Sequence, residues 1–314
     1  MTLDFAVGPD VLAVFAGIVG LLVFATVTSF ALRKLKPAAH PKDLDARIRS
    51  WWVMVAIFAL AVLFSRTGAI VFFALLSFLA LKEYLSLIPT RRADRRVLFW
   101  AYVAIPLQFF WVYDRWYNMF LVFIPVYAFL WLPFRMVLNG ETRDFLRAAG
   151  TLHWGLMAFV FALSHLAYLL VLPERAGDAL TGPGLLLYLV MLTQLNDVAQ
   201  YVSGKRFGRH KALPSVSPNK TIEGVLGGVI TTTLLSVLVA PLLTPLSMPH
   251  AIACGLMISM AGFVGDVTIS AVKRDLGIKD TGSLIPGHGG VLDRLDSLLY
   301  TAPLFFHFMK YFYY

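Results

Sequence analysis

Apolar runs long enough to cross a bilayer recur from one end of this 314-residue chain to the other. A hydrocarbon core of about 30 Å needs roughly 20 mostly apolar residues in a helix. Such runs stand near residues 8–32, 50–65, 67–87, 97–114, 117–138, 151–172, 183–203, 224–245, 250–271 and 295–313. Only Ser65-Arg66-Thr67 separates the second from the third, so ten spans is the count and nine the alternative. Inside lipid every backbone N–H and C=O must be paired within the segment itself. The expected fold is therefore all-α, a polytopic integral membrane protein. A composition of 59% hydrophobic and 14% charged residues excludes an ordinary soluble globular domain.

The basic residues test that count. The loops at 33–49, 89–97, 135–150, 204–220 and 271–294 hold 6, 4, 3, 5 and 4 Lys and Arg, which is 22 of 27. The intervening loops offer only Arg66, Arg115 and Arg175, with Lys310 near the end. Basic and poor loops alternate without a break, as the positive-inside rule requires, and both termini are then expected outside the cytoplasm. The net charge of +9 thus reflects topology and anionic headgroups. It does not point to nucleic acid, because the basic loops lack length and interleaved aromatics. The N-terminus, M-T-L-D-F-A-V, is acidic and its apolar run too long for a signal segment, so it reads as a retained first span. A single cysteine, Cys254, excludes intrachain disulfides and reads as a packed thiol.

Polar density divides the chain. Residues 1–180 read as apolar helices joined by short basic loops, an N-terminal scaffold; residues 181–314 read as a catalytic half with cytoplasmic loops 204–223 and 272–294. Within the scaffold, the 33–49 loop reads either as a solvated linker or as a short surface helix from Asp43 anchored by Trp51 and Trp52. Lys82 and Glu83, ending the third run, are expected to snorkel to the interface. His153 and His165 read as structural.

The chemistry concentrates between Asp266 and Asp296. An unpaired carboxylate inside an apolar segment costs several kcal/mol, so Asp266 needs a reason to be there. Asp266, Ser270 and Lys273 follow i, i+4, i+7 spacing and share one helix face. Asp293 and Asp296, spaced i, i+3, repel each other unless a cation sits between them. A hard divalent ion such as Mg²⁺ favours carboxylates together with substrate phosphates. Gly287, Gly289 and Gly290 permit close approach of backbone to a phosphate. His288 is open to three readings: phosphate ligand, carboxylate partner or loop fixer. Further back, Ser217, Asn219, Lys220 and Thr221 set hydroxyl, amide and ammonium donors just before an apolar helix, which suits an anion or, equally, a helix cap. Asn196 and Asp197 lie toward the cytoplasmic end of the seventh run, one turn before Tyr201.

The run S-A-V-K-R-D-L-G-I-K-D-T-G-S-L-I-P-G-H-G-G-V-L-D-R-L-D, residues 270–296, resembles the pattern of the CTP-dependent phosphatidate cytidylyltransferases. Ser270, Lys273, Arg274, Lys279, Asp280, His288, Gly289, Gly290, Asp293, Arg294 and Asp296 fit it without a gap, and Ser217, Pro218, Lys220 and Thr221 match a second element of that family. The resemblance is specific over about residues 194–297. Two positions depart from it: Gln200 separates Ala199 from Tyr201 where the family has Asp followed by Ala-Tyr, and Ile222 replaces an aromatic.

The resemblance implies a multi-pass enzyme of the cytoplasmic membrane, its active site facing the cytoplasm, that makes CDP-diacylglycerol and pyrophosphate from CTP and phosphatidic acid. Asp266, Asp293 and Asp296 are then expected to hold Mg²⁺, with room for a second metal ion. Lys273 would act on the reacting phosphates. Ser217, Asn219, Lys220, Thr221, Ser270, Arg274, His288, Gly289, Gly290, Arg294 and Asp197 would line the substrates. The family also suggests a homodimer. Within enzymes the alternatives are a cytidylyltransferase for another lipid phosphate or a polyprenol kinase. A secondary transporter would show internal repeats and midplane polar sites, neither of which is seen.

Overall fold

A computed structural model of the chain describes residues 8–35, 43–91, 94–173, 182–282, 284 and 289–314. Nine helices among them are long and apolar enough to cross a membrane. In chain order they are α1 (Pro9–Leu35), α2 (Leu44–Phe64), α3 (Arg66–Leu87), α4 (Arg95–Tyr113), α5 (Tyr117–Val137), α6 (Phe145–Leu169), α7 (Gly182–Phe207), α8 (Ile222–Leu243) and α9 (Met248–Asp275). The expected tenth span is helical but divided, into α10 (Leu292–Leu295) and α11 (Leu298–Phe312), with Asp296 and Ser297 at the break. Between α7 and α8 lies an antiparallel hairpin, β1 (Lys211–Leu213) and β2 (Ser217–Thr221), that pairs Lys211 with Thr221. The chain is thus an all-α polytopic membrane protein, with one small hairpin among the described residues.

The narrow gap between the second and third runs is a true boundary. Ser65 is extended, and its Oγ accepts from the Gly68 N–H at 2.9 Å, so one residue ends α2 and caps α3. The segment from Asp43 is neither a linker nor a separate surface helix, because α2 begins at Leu44 and runs on into the span. Asp45 explains the difference. It accepts from Ser29 Oγ of α1 at 2.6 Å and from Arg33 at 3.4 Å, and Trp52 donates to Thr26 at 3.1 Å. These bonds draw the start of α2 along α1.

The helices that carry the candidate site are joined by polar contacts rather than by apolar packing alone. Lipid tails are as apolar as leucine, so helices in a bilayer associate through small residues and interhelical hydrogen bonds. Tyr188 of α7 pairs with Ser236 of α8 at 2.6 Å, and Thr193 donates to Thr301 of α11 at 3.1 Å. Asn196 accepts from Thr232 at 3.1 Å and from Ser259 Oγ at 2.6 Å, which ties α7 to α8 and α9 together. Each of these side chains is fully buried or nearly so. In the N-terminal half, Gln108 of α4 donates to Phe120 O and Ser164 Oγ at 3.0 and 3.1 Å, stitching α4 to α5 and α6. His165 packs edge-on against Phe120, Phe161 and Phe306.

The charge alternation predicts one side for the hairpin and the loop after α9. Cysteines placed at Lys211 and at Asp280, both exposed, should react with a membrane-impermeant maleimide only from the cytoplasmic side. A cysteine at Asp114 should react only from outside, and native Cys254 is buried and silent. Labelling of Lys211→Cys and Asp280→Cys from opposite sides would break the topology.

Candidate active site

The last three turns of α9 supply one wall. Asp266 and Ser270 share a face as their spacing requires, and Ser270 Oγ donates to Asp266 Oδ1 at 3.2 Å. Lys220 reaches across from β2, placing its ammonium 2.5 Å from Asp266 Oδ2 and 5.0 Å from the centroid of the Phe263 ring. An ammonium over an aromatic face gains cation–π attraction while its charge meets a carboxylate.

Local contacts explain why the hairpin stands where it does. Glu223, in the first turn of α8, accepts from the Arg209 N–H at 3.0 Å and contacts His210 Nδ1 at 2.6 Å. Thr221 caps α8 by accepting from the Gly224 N–H at 3.1 Å. Arg274 donates to Val216 O at 3.2 Å and to Ile278 O at 3.4 Å, fastening the hairpin turn to the end of α9. A residue expected to hold phosphate thus also braces two loops.

The hairpin, α7 and α9 enclose a cavity of about 530 Å³. Asp197, Ser217, Asn219, Lys220, Thr221 and Asp266 line it, which brings together six residues singled out in sequence. Lys205 and Lys211 line it too. Sequence reasoning passed over both, counting them only as part of a basic loop. Gln200, the departure noted above, is another lining residue, and its amide Nε2 is buried without a partner.

The second wall is the turn through α10. Here the structure parts Asp293 from Asp296. Asp293 Oδ1 pairs with Lys273 Nζ at 2.7 Å, and Oδ2 accepts from Thr281 N and Oγ1, both at 2.9 Å, and from Gly290 N at 3.0 Å. Asp296 turns the other way, accepting from the Ser297 N–H at 2.8 Å, while Ser297 Oγ donates to both oxygens of Asp197 at 3.1 Å. Gly265 permits this approach: a Cβ there would lie 2.4 Å from Asp296 O. Asp197 and Asp266 repel one another and both repel Asp296, with Lys220 and Arg294 supplying opposing charge. The facing carboxylates are therefore Asp197, Asp266 and Asp296, whereas Asp293 braces the loop. Among the described residues no group of three or more acidic, histidine or cysteine side chains is placed to hold a metal ion. Arg294 keeps its Nε buried without a partner. His288 lies outside the described residues, while Gly289 and Gly290 flank the Asp293 contact.

One residue at this wall comes from far away in sequence. Glu83, near the end of α3, accepts from the Val291 N–H at 2.9 Å and the Leu292 N–H at 3.3 Å. The expected snorkelling pair is thus divided: Lys82 is exposed, but Glu83 turns inward onto the start of α10. Free backbone N–H groups at a helix start attract a carboxylate more strongly than the interface does.

The model of the cytidylyltransferase family matches residues 45–312. The chain belongs to the cytidylyltransferase family. The match takes in α2 to α6 as well as the two loops, so the family extends well beyond the 194–297 stretch that carries the sequence resemblance. The uncharacterized protein YnbB of Escherichia coli (strain K12) is 45% identical over 298 residues, covering 94% of this chain and 97% of that protein. A phosphatidate cytidylyltransferase of Staphylococcus aureus (strain COL) is 38% identical over 120 residues, 38% of this chain and 46% of that protein. One from Haemophilus influenzae (strain ATCC 51907 / DSM 11121 / KW20 / Rd) is 40% identical over 136 residues, 42% of this chain and 47% of that protein. The aligned part is about half the length of those two enzymes.

Proposed function

We propose that the chain transfers the cytidylyl group of CTP to phosphatidic acid at the cytoplasmic face of the cell membrane. A phosphate oxygen of the lipid attacks the α-phosphorus, the bond to the bridging α–β oxygen breaks, and pyrophosphate leaves. The observation that carries this reading is the 530 Å³ cavity, lined by Lys205, Lys211 and Lys220 beside facing carboxylates. Its volume lies within the roughly 300–1,000 Å³ typical of small-molecule sites. Both reactants are anions, so cations must gather them. Lys220 and the hairpin donors hold the triphosphate, while Lys273 of α9 and Arg294 of α10 supply cationic charge at the reacting end. Phosphatidate is already ionised and needs no general base. Rate enhancement comes from positioning and fixed charge.

Mg²⁺ suits the chemistry of these donors, although no described group as placed forms a closed site. Asp197, Asp266 and Asp296 offer hard oxygens, and their mutual repulsion favours an added cation. They are the residues proposed to hold it. Asp293 would join only by giving up Lys273, since its other oxygen already accepts three bonds. When bound, the ion neutralises phosphate charge.

A second reading, the same transfer to another lipid phosphate, rests on the departures from the family pattern at Gln200 and Ile222. Both readings meet one experiment. Purified protein in mixed micelles is given CTP labelled at the α-phosphate and a panel of lipid phosphates. Label should pass to phosphatidate with release of pyrophosphate. Preference for another lipid phosphate would select the second reading, and release of CDP or an unlabelled lipid fraction throughout would overturn both. In the same assay Lys220→Ala should raise the KM for CTP by about tenfold or more and change kcat far less, the signature of a contact made in ground and transition states alike.

A further inference from the structure

The turn that presents Asp293, Arg294 and Asp296 cannot hold itself. Helix α10 has four residues, and a single helical turn fixes several dihedral angles for little hydrogen bonding. Three consecutive amides at its start are instead claimed by carboxylates. Gly290 N–H goes to Asp293 at 3.0 Å, and those of Val291 and Leu292 go to Glu83 at 2.9 and 3.3 Å. The space is shaped for this: a Cβ on Gly290 would lie 2.0 Å from Glu83 Oε1. We propose that Glu83 is a positioning residue for cytidylyl transfer, delivered from α3, which sets the register of the turn carrying Asp293, Arg294 and Asp296.

The chemistry requires a carboxylate. Two acceptor oxygens meet two neighbouring N–H groups, and the negative charge lies at a helix N-terminus. An amide of the same shape offers one acceptor and aims its own N–H₂ at a donor. Glu83 is not among the residues that line the cavity, so its loss should disturb the second wall and spare the nucleotide cavity.

The proposal rests on the cytidylyltransferase reading for its kinetic arm only. Glu83→Gln should lower kcat by about ten- to a hundredfold and leave the KM for CTP within about twofold. Glu83→Asp, which keeps the charge on a shorter arm, should recover part of the loss. Hydrogen exchange, measured without substrate in the same micelles, should quicken over 289–297 in Glu83→Gln while α7 and α8 are unchanged. That local change separates the two claims, because it is expected whatever lipid the protein acts on. Unchanged exchange over 289–297 would overturn the proposal. So would wild-type kcat in a protein whose normal form transfers label. A uniform loss of protection with a lowered Tm would make Glu83 a general fold support instead.

Discussion

Asp266→Asn should lower turnover by about a thousandfold or more, the upper scale for losing one element of a preorganised electrostatic site, with Tm nearly unchanged. The two effects have separate causes. Asp266 is one of three facing carboxylates, and deleting its charge relieves its repulsion of Asp197 and Asp296. Against that gain, Lys220 loses an ion pair at 2.5 Å but keeps its place over the Phe263 ring. Stability therefore changes little. Activity loses a charge that balances Lys220 and, on the proposed reading, a magnesium ligand. Normal Mg²⁺-dependent turnover in this variant would remove Asp266 from the chemistry. A marked fall in Tm would make its pair with Lys220 a structural device.

Lys273→Ala should lower kcat by roughly a hundredfold or more and also destabilise the second wall. Lys273 and Asp293 are 13% and 6% exposed, so the pair is largely shielded from water. Breaking a buried pair by removing one partner costs on the order of 3–5 kcal/mol, because the remaining charge stays buried. Asp293 is partly protected by Thr281 and Gly290, which places the loss toward the lower figure. Lys273→Arg should restore only part, since a planar fork does not reproduce a compact ammonium. The decisive measurement is a double-mutant cycle with Asp293→Asn. If the pair acts as one unit, the double variant should be no worse than the poorer single variant, both in kcat and in Tm. Additive losses would show that Lys273 and Asp293 work apart. A change confined to the KM for lipid would make Lys273 a headgroup anchor.

The spans were legible because hydrophobic length is a one-dimensional signal, and Ser65 shows that even a one-residue break leaves its capping residue in view. The pairing of Asp266 with Ser270 was legible for the same reason, since both lie within one uninterrupted helix. Spacing along a helix does not say which partners other elements bring. Asp293 and Asp296 were expected close together from their i, i+3 spacing, yet Asp293 bonds to Lys273, Thr281 and Gly290 while Asp296 bonds to the Ser297 N–H. The tie of Asp197 to Ser297, a hundred residues on, has no local signal in the sequence. Glu83 was illegible for the same reason at twice the distance: its partners at Val291 and Leu292 are backbone groups, which carry no sequence signature. The hairpin was missed because a basic, Pro-containing loop gives no period-2 alternation to detect.

On the proposed function, the last helix would also set the depth of transfer. Helix α11 has 15 residues, about 22 Å at 1.5 Å per residue, against a hydrocarbon thickness of about 30 Å. If it crosses the bilayer together with the residues before it, α10 and its carboxylates fall within the about 8 Å that remain. A lipid phosphate would then meet them by sinking a short way or by the leaflet dimpling toward the protein, at a cost of fractions of a kcal/mol per ångström of mismatch. Membrane thickness would enter the rate as a term of its own, and a thinner bilayer would bring the acceptor closer without any change in the protein.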